Sequence, residues 1–176
     1  MITNIITEYV KTPKTKVITD ATAGYGGNTI NFAGVFKSVN AVENDKETFD
    51  MLQNNIEVFK LKNVELLNKD FVEVAKDLKQ DVTFIDAPHG DTKFKYERLR
   101  LSGKFLTDVV NELDNAKHIV LKVHKNFDYG NFMHFITYKN VVIVKIPDKQ
   151  WMLIIISGHY KRENVKLKNV ELNNKQ

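Results

Sequence analysis

Two short segments carry the side chains that could do chemistry. The first is Asp20-Ala21-Thr22-Ala23-Gly24-Tyr25-Gly26-Gly27-Asn28-Thr29. It follows the apolar run Lys16-Val17-Ile18-Thr19 and leads into a helical pattern from Asn28 to Phe36, with Asn28 placed as an N-cap. Glycines at a strand-to-helix turn let the backbone bend tightly and approach a ligand. Glu43 closes the next apolar run at the separation a ribose-binding acid needs. A dinucleotide would set its pyrophosphate at the helix start, where the Asp20 carboxylate would repel it. S-adenosylmethionine has no phosphate and carries ammonium and sulfonium cations, which such a carboxylate favours. Asp20 also fits as an acid that merely holds the turn. Asp70 can accept from an adenine amino group or cap the next helix, and Phe71 can pack on the adenine ring or in the core.

The second segment is Asp86-Ala87-Pro88-His89-Gly90, after the apolar run Val82-Thr83-Phe84-Ile85. The exocyclic nitrogen of guanine or adenine has its lone pair delocalised into the ring. Acceptors on its N–H groups localise that pair for attack. Asp86 and the Ala87 carbonyl can be those acceptors, Pro88 stiffens the loop, and a ring at His89 can stack on a base. The bland alternative is an Asp86–His89 loop pair without chemistry.

The elements that must position these segments alternate regularly. Strands are expected at 16–20, 38–43, 64–67, within 81–87, and at 118–123. Helices are expected at 28–36, 46–59, 71–78, 99–113 and 127–138, the second from Phe49, Leu52, Ile56 and Phe59 at helical spacing. Two closing strands, 141–146 and 151–157, are joined by a four-residue turn and form an antiparallel hairpin. This pattern predicts one α/β domain with a mainly parallel, seven-stranded sheet, its ligand at the carboxyl ends of the strands. The domain should span 16–160, between a short amino-terminal extension (1–15) and a charged tail (161–176).

Composition narrows the class. The 176 residues are enough for one domain with a real core. No apolar run reaches the roughly 20 residues of a membrane helix. The chain has no cysteine, so disulfides and thiolate metal sites are excluded and an intracellular place, cytoplasmic or nuclear, is expected. With no clustered histidines either, no metal site is expected. The formal charge of +4 suits a nucleic-acid partner without requiring one. Lys122, His124 and Lys125 could meet phosphate, as could Lys93, Lys95, Arg98 and Arg100. Trp151 could stack on a base or belong to the core.

Taken together, these residues resemble the RNA cap guanine-N2 methyltransferases, the trimethylguanosine synthase family. The resemblance runs through the Asp20–Thr29 loop and on to Ala33, then Ala41-Val42-Glu43-Asn44-Asp45, Asn54-Asn55, Asp70-Phe71 and Asp86 to Gly90. It covers roughly residues 16 to 125, and Gly26-Gly27-Asn28-Thr29 is its most specific element. It implies a Rossmann-like class I methyltransferase that transfers methyl groups to N2 of a 7-methylguanosine cap on RNA. It implies S-adenosylmethionine at Asp20, Gly24, Glu43 and Asp70. The full set of expected cofactor contacts adds Ala21, Thr22, Gly26, Gly27, Asn28, Thr29, Asn44, Phe71 and Asp86. The expected substrate contacts are His89, Lys93, Arg98, Lys122 and Trp151. The chain departs from the family's Ser-Pro-Pro-Trp loop: Asp86 stands for serine, Ala87 for the first proline and His89 for the tryptophan. The segment before the first strand is also shorter than the family's helical extension. Three further readings therefore stay open: an adenine-N6 methyltransferase, a ribosomal guanine-N2 methyltransferase, and an inactive binding or stimulatory subunit.

One repeat stands apart. Residues 60–70 recur as 166–176 with two differences, Leu67 for Asn173 and Asp70 for Gln176. Compositional bias explains it simply. A tail that copies a strand and pairs at a sheet edge, within the chain or across a homo-oligomer, is the sharper expectation.

Overall fold

Apolar runs closed by glycine, asparagine or aspartate become the strands of a parallel sheet in the first half of the chain. In the computed structural model, which describes residues 1–86, 99–146, 148–159 and 166–171, these are β1 (Val17–Asp20), β2 (Ser38–Val42), β3 (Val64–Leu67) and β4 (Val82–Ile85). Their order is β4-β1-β2-β3, all parallel. The helices between them are α2 (Gly27–Ala33), α3 (Lys46–Val58) and the single turn α4 (Phe71–Val74); α1 (Ile2–Tyr9) precedes β1. The amino-terminal extension is thus largely a helix, which buries Ile5 and Ile6 and packs against α2. These elements form one compact unit, Met1–Ile85; Asp86–Gln176 form a second.

Helix starts follow capping chemistry. The Asp45 carboxylate accepts from the Thr48 amide at 2.8 Å, and Asp70 accepts from Val72 at 2.8 Å. The Thr48 bonds hold the Asp45 carboxyl below the usual carboxylate range. Leu52 and Ile56 of α3 are buried against Ala23 and Ala41, with Phe49 packed beside them. Phe59, expected on that apolar face, is exposed instead, because the helix has ended one residue before it.

The second unit holds β5 (Arg100–Leu101), β6 (Lys104–Phe105), α5 (Leu106–Glu112), β7 (His118–His124), α6 (Tyr129–Phe135), β8 (Tyr138–Lys145), β9 (Trp151–His159) and β10 (Lys166–Glu171). β8 and β9 are the expected hairpin, and β9 is also antiparallel to β7. Strands β1–β4 and β7–β9 are the seven anticipated. The helix expected over 99–113 is corrected. Its start, residues 100–105, is the β5–β6 hairpin, turned by Ser102 and Gly103 at φ 49° and 78°. Positive φ at both central residues is the two-residue turn that matches strand twist, and the Ser-Gly dipeptide was its signal.

The tail is a strand. β10 lies parallel along β8, from Lys166 beside Asn140 to Glu171 beside Lys145. The two copies of the repeat use different halves: β3 is Val64–Leu67, whereas β10 covers the residues equivalent to 60–65. The pairing is within the chain, so that edge of β8 is covered by its own tail, and nothing here supports a homo-oligomer formed through it.

Tyr138 ties β8 to α5. Its buried hydroxyl shares one proton between the Val110 and Leu113 carbonyls, at 3.0 and 2.8 Å. Burial first, then the nearby Asp114 charge, push its phenol up to about 12 from 10.0. The native chain therefore keeps this proton where the unfolded chain loses it. The stability Tyr138 contributes is complete below about pH 10 and is lost as pH rises through about 12. Tyr138→Phe should cost about 1–2 kcal/mol at neutral pH, and the gap to the parent protein should narrow over that alkaline window. Urea unfolding of both proteins between pH 8 and pH 12 checks it; a constant gap would contradict it.

Candidate active site

The glycine loop is built by two left-handed residues and by bonds that reach into it from outside. Gly24 and Gly26 have φ 54° and 92°. A Cβ at Gly26 would stand 2.7 Å from Leu52 Cδ1, so this glycine is demanded by both backbone and packing. Gly26 is the N-cap of α2, which begins at Gly27. Asn28, expected at the cap, lies instead in the first turn. Around Gly24 and Gly27 there is open space where a Cβ would point.

Glu43 follows β2 and holds the loop. Its carboxylate accepts from the Gly24 amide at 2.9 Å through one oxygen and from the Asp45 amide at 2.9 Å through the other. Neighbouring loop amides are also engaged: Ala21 with the Phe84 carbonyl, Ala23 with Val42, and Gly26 with Ala23, each at 2.9 Å. A dinucleotide loop offers such amides to phosphate; here the protein itself takes those of Ala21, Ala23, Gly24 and Gly26. A carboxylate has about four acceptor sites, so Glu43 keeps capacity for ribose hydroxyls.

Asp20 is fully buried at the end of β1 and accepts from the Thr29 hydroxyl at 2.7 Å. This joins the two ends of the loop. Thr29 and Ala21, expected as cofactor contacts, have buried side chains and act from beneath the loop. Phe71 is 2% exposed, so its ring sits in the core beside the Asp70 cap of α4. Thr22 and Asp70 are half-buried, and Asn44 is exposed.

Two asparagines that sequence reasoning left without a role complete the loop. Asn55 of α3 donates to the Tyr25 carbonyl at 2.8 Å, and Asn68 donates to the Glu43 carbonyl at 2.9 Å. Asn55 sits in the family-like Asn54-Asn55 pair, which was the available signal. Asn68 gave none.

In the second unit, Asp86 is gripped by Lys122 of β7, with Nζ 2.6 Å from Oδ2 and both side chains about one-fifth exposed. The same ammonium stands over the Trp151 ring, 5.6 Å from its centroid. Lys122, expected to meet phosphate, thus has its charge directed at Asp86. Trp151 is half-buried at the start of β9, opposite His124. Ala87, Pro88, His89, Lys93, Lys95 and Arg98 lie outside the described residues. Among the described residues, no group of acids and histidines could hold a metal ion, and no helix is long and apolar enough to cross a membrane.

Residues 15–100 match the model of the RNA cap guanine-N2 methyltransferase family. The segment matched to that family holds the glycine loop, Glu43, Asp70 and Asp86. Uncharacterized protein L320 of Acanthamoeba polyphaga mimivirus is 36% identical over 155 residues, covering 83% of this chain; the chain spans 60% of that relative's length. Among solved structures, a 16S rRNA N2 G methyltransferase from T. thermophilus, in complex with AdoMet and guanosine, aligns with TM-score 0.70 at 16% identity. It covers 90% of this chain and 42% of that one. A precorrin-6y C5,15-methyltransferase from Geobacter metallireducens aligns with TM-score 0.61 at 18% identity, over 89% and 86%. These structures show that the fold is the Rossmann-like methyltransferase fold. Proteins of such different titles on one fold leave the methyl acceptor to the site.

The two glycines separate packing from ligand space. Gly26→Ala should cost about 2 kcal/mol, from left-handed strain and the displaced Leu52. Gly27→Ala meets open space in a helical turn and should leave stability unchanged or raise it by up to about 1 kcal/mol. Urea midpoints of the two variants test this, and equal losses would refute the assignment.

Proposed function

We propose that this chain is an S-adenosylmethionine-dependent methyltransferase acting on an exocyclic amino group of RNA, N2 of guanosine, with a 7-methylguanosine cap as its acceptor. The observation that carries the reading is the family match over 15–100, the segment that holds the glycine loop and Glu43, whose carboxylate accepts from the Gly24 amide. The residues present fit this cofactor. Glu43 would hold the ribose, Asp70 the adenine amino group, and the buried Asp20, through the backbone that it fixes with Thr29, the amino-acid end. The space over Gly24 and Gly27 would admit the ligand close to the chain.

S-adenosylmethionine, when bound, supplies an electrophilic methyl group on a sulfonium. Asp86 accepts a hydrogen bond from the acceptor's amino group, which localises the nitrogen lone pair. The surplus proton of the methylated nitrogen would pass to Asp86 and on to water. Lys122, with Nζ 2.6 Å from Oδ2, fixes the carboxylate's orientation for that role. Positioning and electrostatics supply the remainder.

Asp86→Ala should lower turnover about a hundredfold or more while cofactor affinity by calorimetry changes little; equal losses would refute the role. The decisive measurement is nucleoside analysis after incubation with labelled cofactor and 7-methylguanosine-capped or uncapped RNA. N2-methylated guanosine only in capped RNA is expected. Label on uncapped guanosine would move the acceptor to internal RNA, and N6-methyladenosine would replace the acceptor altogether. Cofactor binding that Glu43→Ala weakens, without any product, would make the chain a binding subunit.

A further inference from the structure

Beyond Asp86 and Lys122, the second unit contains a cavity of about 650 Å³ where the chain leaving β7 meets the turn between β8 and β9. Lys125, Lys145 and Lys149 line it together with Trp151, and Asp148 is the one acid among the lining residues. All three lysines are exposed, and no ion pair among the described residues engages them. The backbone fixes where they stand. The Lys125 amide donates to the Gln150 carbonyl at 2.9 Å, joining the end of β7 to the turn. Lys145 ends β8 beside Met152, and Trp151 opens β9 beside His124. Three cations around an indole make a site for a phosphate-bearing chain with an aromatic base, and a net positive lining excludes a cationic or purely apolar occupant.

We propose that this cavity is a second RNA contact, in which Lys125, Lys145 and Lys149 hold phosphates of single-stranded RNA and Trp151 meets one of its bases. The inference rests on the reading of the substrate as RNA and extends it to the nucleotides beside the methylated one. Lys122 is the link. Its ammonium contacts the Asp86 carboxylate and stands over the Trp151 ring, so one side chain touches both the acid assigned to the acceptor and the ring on which RNA would be seated. The cavity therefore favours an acceptor carried on a chain over a free nucleotide.

Trp151 is the chain's one tryptophan, so its emission reports on this cavity alone. The test uses the full chain and a fluorescein-labelled single-stranded RNA of about twelve nucleotides. Affinity is read by anisotropy across a salt series, and Trp151 emission is read with the unlabelled RNA. Each phosphate contact on a single strand contributes about 0.7 to the slope of log affinity against log salt. The triple variant Lys125→Gln/Lys145→Gln/Lys149→Gln should therefore lose about 2 from that slope and bind at least tenfold more weakly at low salt. A control triple, Lys60→Gln/Lys62→Gln/Lys69→Gln, removes the same charge from exposed positions in the first unit and should change the slope by less than half as much. Trp151 emission in the parent protein should change on binding. An unchanged slope in the cavity variant, an equal loss in the control, or binding that leaves Trp151 emission constant would each overturn the cavity while leaving the RNA reading intact. A parent protein that binds no RNA at low salt would overturn both.

Discussion

The candidate cofactor site depends on one carboxylate held between two backbone amides. Glu43 accepts from Gly24 and from Asp45, so a single side chain fixes the glycine loop after β1 and the cap of α3 after β2. The left-handed Gly24 has its amide held by this carboxylate, and the left-handed Gly26 lies close against Leu52. Asn68 then holds Glu43 from the other side, through its own carbonyl. The consequence is chemical. A loop bounded by the carboxyl groups of Asp20 and Glu43 suits a cationic ligand better than a phosphate.

The parallel half of the fold was legible because its signals are local. Strands β1 to β4 are apolar runs with clear stops, and α3 shows its buried face in Leu52 and Ile56. The elements that were missed depend on distant partners or on a competing pattern. Leu99 to Leu113 has enough apolar residues at helical spacing to read as one helix, yet two positive φ angles at Ser102 and Gly103 fold its start into a hairpin. Phe59 continues an apolar spacing past the point where the helix stops. In the site, glycine placement and acid spacing could be read directly. The bonds of Asn55 to Tyr25 and Asn68 to Glu43 span 30 and 25 residues, and no spacing rule reaches that far.

The largest change concerns charge. Counted along the sequence, Lys122 joins His124 and Lys125 as a basic cluster at a strand end. In the fold, side chains alternate across β7, and the register that sets Lys122 beside Leu153 also brings it to Asp86 and over Trp151. Its charge is answered within the protein, whereas Lys125, past the strand, remains exposed at the cavity rim. A cluster of three basic residues is thus two devices: one that orients an acid, and one open to an outside anion.

That division bears on why Asp86 can stand where the family's loop carries serine. An ionised carboxylate facing a neutral amino group is a stronger acceptor than a hydroxyl, but it also carries a charge that must be stabilised in a partly shielded place. Lys122 supplies that stabilisation from inside the unit, so the acid does not depend on the substrate for its counter-charge. Trp151 beneath the same ammonium adds a cation–π contact that restrains the lysine. The departure at position 86 and the aromatic at position 151 are therefore coupled through one side chain. A serine at 86 would leave the Lys122 ammonium without this carboxylate partner.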